Sequence, residues 1–170
     1  VANTLWAYAT LGRAPGAGVM RGLEGRAEAV AGTFKAQEVA NTLWAYATLG
    51  RAPGAGLMRG LEGRAEAVAD TFNAQDVANT LWAYATLGRA PGAGVMRGLE
   101  GRAEAVAGTF KAQEVANTLW AYATLGRAPG AGLMRGLEGR AEAVADTFNA
   151  QDVANTLWAY ATLGRAPGAG

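Results

Sequence analysis

No cysteine and no histidine occur anywhere in this chain. Their absence removes disulfides, thiolate nucleophiles, the usual zinc ligands and the commonest general base. No apolar run reaches the roughly 18 residues that suggest a membrane-spanning helix, and the N-terminus has no signal-peptide pattern. An excess of one charge is also missing. Fifteen basic and 14 acidic residues leave a formal charge of +1, so bulk charge identifies no partner. Large side chains are scarce: 51% of the 170 residues are hydrophobic but only 8% are aromatic. The core should therefore be thin, built mostly of small residues, with Trp, Tyr, Leu, Phe and Met as its few large units. That apolar content still excludes a disordered tail. The chain does not begin with methionine, so it reads as an excised fragment or a piece lacking its natural ends, with which any targeting segment would have gone.

What is present is repetition. VANTLWAYATLGRAPGAG begins at Val1, Val39, Val77, Val115 and Val153, always 38 residues apart. Four full repeats, 1–38, 39–76, 77–114 and 115–152, lead into a half repeat at 153–170. Residues 1–76 and 77–152 are identical, so the larger unit is a pair of repeats. The chain is read as a single repeat array.

Each repeat predicts two helices. Asn73 followed by Asp76 fits a capping box at a helix start, and Gly88 fits an αL terminator at its end. Within the equivalent upstream helix, Val39, Leu43, Tyr46 and Leu49 form one stripe and Ala40, Trp44 and Ala47 an adjacent one. Such a broad apolar surface suits a helix packed on two sides, which leaves Asn41, Thr42, Ala45 and Thr48 for the exposed arc. Pro53 is expected to open the second helix, with Leu57, Met58, Leu61, Ala65 and Val68 inward and Phe72 as a plug against the next repeat. Arg59, Glu62, Glu66 and Asp70 read as an exposed stripe, with Arg59 and Arg64 in reach of the glutamates. Gly56, Gly60 and Gly63 weaken this helix by roughly 1 kcal/mol each relative to alanine, so stacking must hold it. The expected fold is all-α, an α-solenoid of stacked antiparallel helix pairs, with a right-handed superhelix by analogy with related helical repeats.

The period and the string NTLWAYATLG at 41–50 and its copies resemble the octotricopeptide repeat family, whose 38-residue repeat carries an NTLWALAKLG-like signature. Phe72-Asn73-Ala74-Gln75-Asp76 resembles the element that precedes that signature. The segment Arg51–Leu57 departs from the family pattern, with one proline and no tryptophan. The resemblance covers essentially the whole chain. It implies organellar proteins of chloroplast or mitochondrion that bind single-stranded RNA at about one nucleotide per repeat. They act in RNA stability, processing or translation. Many members carry a further C-terminal domain, and nothing here looks like one.

For base contacts, Asn41, Thr42 and their copies Asn79, Thr80, Asn117 and Thr118 offer donors and acceptors suited to Watson–Crick edges. The alternative is that they hold the stack together. The repeats differ at only four places: Val19/Leu57, Gly32/Asp70, Lys35/Asn73 and Glu38/Asp76. A position that distinguishes bases should vary between repeats. Lys35, Glu38, Asn73 and Asp76, with Lys111, Glu114, Asn149 and Asp152, are therefore further base-contact candidates; drift at a solvated turn is the alternative. For phosphates, Arg13, Arg51, Arg89, Arg127 and Arg165 each follow a terminal glycine and would form a row. Compensation of the helix dipole is the other account of them. Trp6, Trp44, Trp82, Trp120 and Trp158 read as core, since they fall within the apolar surface, although base stacking is open to them in principle.

One environment repeated along the chain, without histidine or cysteine, does not converge different groups on one centre, so no enzyme, metal or cofactor is expected. Single-stranded RNA is the expected partner; a protein-interaction scaffold or a designed solenoid without a nucleic-acid ligand is the alternative. Neither end shows a polar cap, and end-to-end self-association is expected.

Overall fold

The computed structural model describes residues 1–164. Among them nine α-helices follow one another without a strand. They are α1 (Ala2–Thr10), α2 (Ala17–Val30), α3 (Ala36–Thr48), α4 (Ala55–Ala67), α5 (Ala74–Thr86), α6 (Ala93–Val106), α7 (Ala112–Thr124), α8 (Ala131–Ala143) and α9 (Ala150–Leu163). Odd-numbered helices pack each on the next to make one row, and even-numbered helices make a second row alongside. This is the architecture of an α-solenoid, in which each helix pair touches mainly its neighbours.

Local chemistry sets the helix ends. Gly12, Gly50, Gly88, Gly126 and Gly164 all lie in the left-handed region, with φ between 67 and 71°. After α3, the Gly50 N–H donates to Ala47 O and the Arg51 N–H to Tyr46 O, both at 3.0 Å. That is the Schellman pattern, and it closes the last carbonyls of the helix. At the start of α5, Asp76 N–H donates to Asn73 Oδ1 at 2.8 Å and Asn73 N–H to Asp76 Oδ2 at 3.1 Å. Lys35 has no acceptor, so α3 keeps only half of this box, the Lys35 N–H donating to Glu38 Oε2 at 2.7 Å. Pro53 does not open α4. It is buried one residue ahead of the Gly54 cap, its ring spent on packing rather than on starting the helix.

The core runs between the rows. Val39, Leu43 and Tyr46 of α3, with Leu57, Met58 and Leu61 of α4, are all essentially inaccessible. Phe72 follows the short 3₁₀ turn Ala69–Thr71 and is likewise fully buried. Alanines dominate the contact within the odd row, where Ala40, Ala45 and Ala47 are buried. Small side chains let these helices approach closely.

Polar groups bind repeat to repeat. In the stripe expected on the second helix Arg59, Glu66 and Asp70 are exposed as expected, whereas Glu62 is half-buried and bonded across the repeat, as is Arg64. The Tyr46 hydroxyl donates to Glu24 Oε2 at 2.8 Å, while the Gly54 N–H donates to Glu24 Oε1 at 3.0 Å. One carboxylate thus joins α2 to α3 and to the positive end of α4. Tyr122 repeats the contact on Glu100 at 2.8 Å, and Tyr84 donates to Glu62 at 3.1 Å. Arg64 is not paired along its own helix either. Its Nε donates to Phe34 O at 2.6 Å, as do Arg102 to Phe72 O and Arg140 to Phe110 O. Glu24, Glu100 and the three arginines also satisfy backbone groups at the turns.

One of the three helix-weakening glycines now has a cause: a Cβ at Gly60 would stand 3.0 Å from the Ala31 methyl. One at Gly56 would meet only the Glu28 carboxylate, the end of a flexible side chain that can move aside. Gly63 faces open space and has no such reason.

The tyrosine–glutamate contacts make the fold sensitive to alkali. Burial, then the hydrogen bond and charge of Glu24, push the Tyr46 hydroxyl above its usual pKa of about 10. Tyr84 and Tyr122 are raised likewise, by burial first and by Glu62 and Glu100. A raised folded-state pKa gives stability that is complete below about pH 10 and is lost as pH climbs past it. Urea midpoints are therefore expected to fall between about pH 9 and 11. Replacing Tyr46, Tyr84 and Tyr122 with phenylalanine should remove most of that slope; an unchanged slope would refute the account.

Candidate nucleic-acid interface

Stacking leaves little of the odd row in contact with solvent. Of the 13 residues of α3, eight are buried, and the remainder are Gln37, Glu38, Asn41, Trp44 and Thr48. Gln37, Asn41, Trp44 and Thr48 are spaced 4, 3 and 4 apart, so they form one stripe along the helix. The same stripe recurs as Gln75, Asn79, Trp82 and Thr86 on α5, and as Gln113, Asn117, Trp120 and Thr124 on α7. The accessible face is thus a ladder of amides, hydroxyls and indoles.

The threonine candidates are not on it. Thr42, Thr80 and Thr118 are fully buried and cannot meet a base. Thr42 Oγ1 donates back to Glu38 O at 2.7 Å, whereas the Thr80 and Thr118 hydroxyls have no partner among the described residues. Ala45 is buried as well. The reason is the direction from which the neighbouring odd helices press: they cover the arc that carries residues 42 and 45. Asn41, Asn79 and Asn117 lie on the other side, half-buried, and no hydrogen bond engages their amides among the described residues.

At the variable turn, the candidates divide. Asp76 and Asp152 are 6% exposed, and both close capping boxes, which removes them from a base-contacting role. Burial raises the Asp76 carboxyl above its usual range, and the Asn73 backbone N–H partly offsets this. Glu38 and Glu114 are half-buried and cap Lys35 and Lys111 from behind at 2.7 Å. Lys35, Lys111, Asn73 and Asn149 are exposed. In Asn73 and Asn149 the side-chain oxygen is taken by the cap at 2.8 Å, leaving the amide nitrogen. Both pairs bond the N-cap N–H through the carboxylate, at 2.7 Å from Glu38 and 3.1 Å from Asp76.

Arg13, Arg51, Arg89 and Arg127 are exposed at the ends of successive odd helices, each placed by the Schellman turn just described. Among the described residues no side-chain hydrogen bond or ion pair engages them. Arg165 lies outside the described residues.

Tryptophan is where the sequence reading erred most. Trp44, Trp82 and Trp120 pack against the core but are only half-buried, and Trp6 and Trp158 are 44% and 46% exposed. Trp44 and Trp82 stand with ring centroids 6.5 Å apart at 33°, and Trp120 and Trp158 at 6.4 Å and 35°. The fully buried positions of the odd helix are taken by alanine, threonine, valine, leucine and tyrosine, and the indoles of successive odd helices meet at the margin of the core instead. A sequence signal that could have found them is their spacing from Asn41 and Thr48, which places them on the stripe of those residues.

Among the described residues no cluster of carboxylates could hold a metal ion, and no helix is long and apolar enough to cross a membrane. At the α9 end, Val153 and Leu157 are 43% and 54% exposed, whereas their equivalents Val77 and Leu81 are fully buried. A family model described as RNA-editing substrate-binding complex 6 protein matches residues 1–166. No curated protein matches the chain.

Proposed function

Because the chain belongs to the RNA-editing substrate-binding complex 6 protein family, we propose that it binds single-stranded RNA along its odd-helix row, within an RNA-processing assembly. The observation that carries this reading is the exposed face: uncharged hydrogen-bonding groups and indoles edged by one arginine per repeat. Amides and aromatic rings recognise unpaired bases, and a cationic edge tracks phosphates. The family name gives an RNA role without specifying octotricopeptide repeats; that narrower membership rests on the NTLWAYATLG signature. We assign about one nucleotide to each repeat, in keeping with other helical-repeat readers. The mitochondrion is the organelle proposed; the family match lends the chloroplast no support.

The chain is read as a binding element without a catalytic centre, since each repeat offers the same side chains. The family name also speaks of a complex, which favours protein partners beside RNA. End-to-end association through the exposed Val153 and Leu157 belongs to the same proposal, and strict monomers in concentrated sedimentation runs would end it.

Selection of RNA from a random pool, followed by titration at two salt concentrations, tests the main reading. An enriched motif of about four or five nucleotides is expected. Absence of RNA binding at low salt overturns it.

A further inference from the structure

We infer that each tryptophan of the odd row, with the asparagine one turn before it, forms a subsite for one unpaired nucleobase. This rests on the reading of the chain as a single-stranded RNA binder, and names the groups that would hold the base. Three observations converge.

First, Trp44, Trp82 and Trp120 pack partly against the core yet keep accessible surface. A ring so held is already ordered before a ligand arrives, so stacking costs little further entropy. Second, Asn41, Asn79 and Asn117 sit three residues before these rings, on the same stripe, with amides that no other group engages among the described residues. An amide offers two donors and an acceptor, enough to meet a base edge while the ring meets its face. Third, the ring centroids are 6.4–6.5 Å apart within each pair. A stacked strand rises about 3.4 Å per base, so a continuous base stack cannot follow these platforms. A strand giving one base to each platform must be extended and unstacked.

The rings pair as Trp44 with Trp82 and Trp120 with Trp158, and no ring contact joins Trp82 to Trp120 among the described residues. The platforms therefore come in twos, with the same 76-residue period as the sequence. Arg51, Arg89 and Arg127 at the ends of the same helices supply the charge complementary to the phosphates.

The test uses the 170-residue chain and three probes of equal length: oligouridine, oligoadenosine, and an abasic ribose-phosphate strand. Tryptophan emission and binding are followed together. Expected results are quenching by both base-bearing strands and about tenfold or greater weakening for the abasic strand. The W82L/W120L variant should lose about tenfold or more in affinity for the base-bearing strands, whereas W82F/W120F, which keeps a ring, should lose less. N79L/N117L should narrow the difference between uridine and adenosine strands. Circular dichroism checks that each variant folds; if the leucine variant does not, the abasic probe and phenylalanine variant still decide. Tight RNA binding with unchanged emission and equal affinity for the abasic strand overturns the subsite and leaves the RNA-binding reading standing. No binding of any strand at low salt overturns both. Quenching by a proline-rich peptide but not by RNA would assign the face to a peptide and overturn the inference.

Discussion

Replacing Phe72 with alanine is expected to divide the unfolding of the array into two transitions. Phe72 is fully buried between α4 and α5, and its carbonyl accepts from Arg102 Nε at 2.6 Å. Removing the ring empties a site closed by two repeats, at a cost of about 3–5 kcal/mol. In a solenoid, stability is close to a sum of repeat terms and neighbour interfaces. A loss of that size at one interface weakens the coupling between residues 1–72 and the rest. Urea titrations followed by circular dichroism should then show two steps, or one step with a clearly smaller slope. Phe148 supplies the control. It is chemically equivalent but only half-buried near the last helix, so the same replacement there should cost less and leave a single transition. A Phe72→Ala variant with an unchanged midpoint and slope would show that coupling between repeats does not run through this ring.

The second large effect concerns salt. The R51A/R89A/R127A triple variant is expected to bind RNA more weakly at low salt and with a flatter salt dependence. Each phosphate neutralised on a single strand contributes about 0.7 to the slope of log K against log salt. Losing three contacts should lower that slope by about 2. Titrations between about 50 and 200 mM salt resolve such a change. These side chains are exposed, make no hydrogen bond or ion pair among the described residues and act on the tyrosines only through charge, so the variant should fold, as circular dichroism checks. An unchanged slope would restrict the arginines to the helix C-termini, where they are worth only a few tenths of a kcal/mol.

Together the two variants separate the roles within each repeat. Phe72 lies at the contact between helix pairs, whereas Arg51 lies outside it. If the first changes stability and the second changes only binding, scaffold and interface are distinct sets of residues. The tryptophans fall between these sets, since they touch the core and also form part of the exposed face.

The two helices of each repeat, the ends of the odd helices and the aliphatic core were legible in the sequence, because the signals that specify them are local and occur again in every repeat. The start of the second helix, assigned to Pro53, was not. Gly50 needs positive φ wherever it sits, Asn73 and Asp76 cap through three residues of chain, and Leu43 and Leu57 are apolar in any packing. The exposed face was legible only in part. A helix packed on several sides shows solvent a narrow arc, and which arc depends on the directions its neighbours press from. Thr42 is small enough to be buried once its hydroxyl turns back to Glu38 O, whereas Trp44 meets Trp82 at the margin of the core. Hydropathy alone orders those two residues the other way. Glu62 illustrates the same limit, since its partner Tyr84 is 22 residues away and no intrahelical spacing announces it.

The sequence by itself therefore determined the repeat, its two helices, the caps of the odd helices and the apolar residues between them, each through interactions a few residues long. Only the tertiary structure decided that the threonines go inside, that the tryptophans line the surface, and that the glutamates bind repeat to repeat. Those outcomes depend on how closely successive helices approach. That distance is set by the small side chains on both of them together.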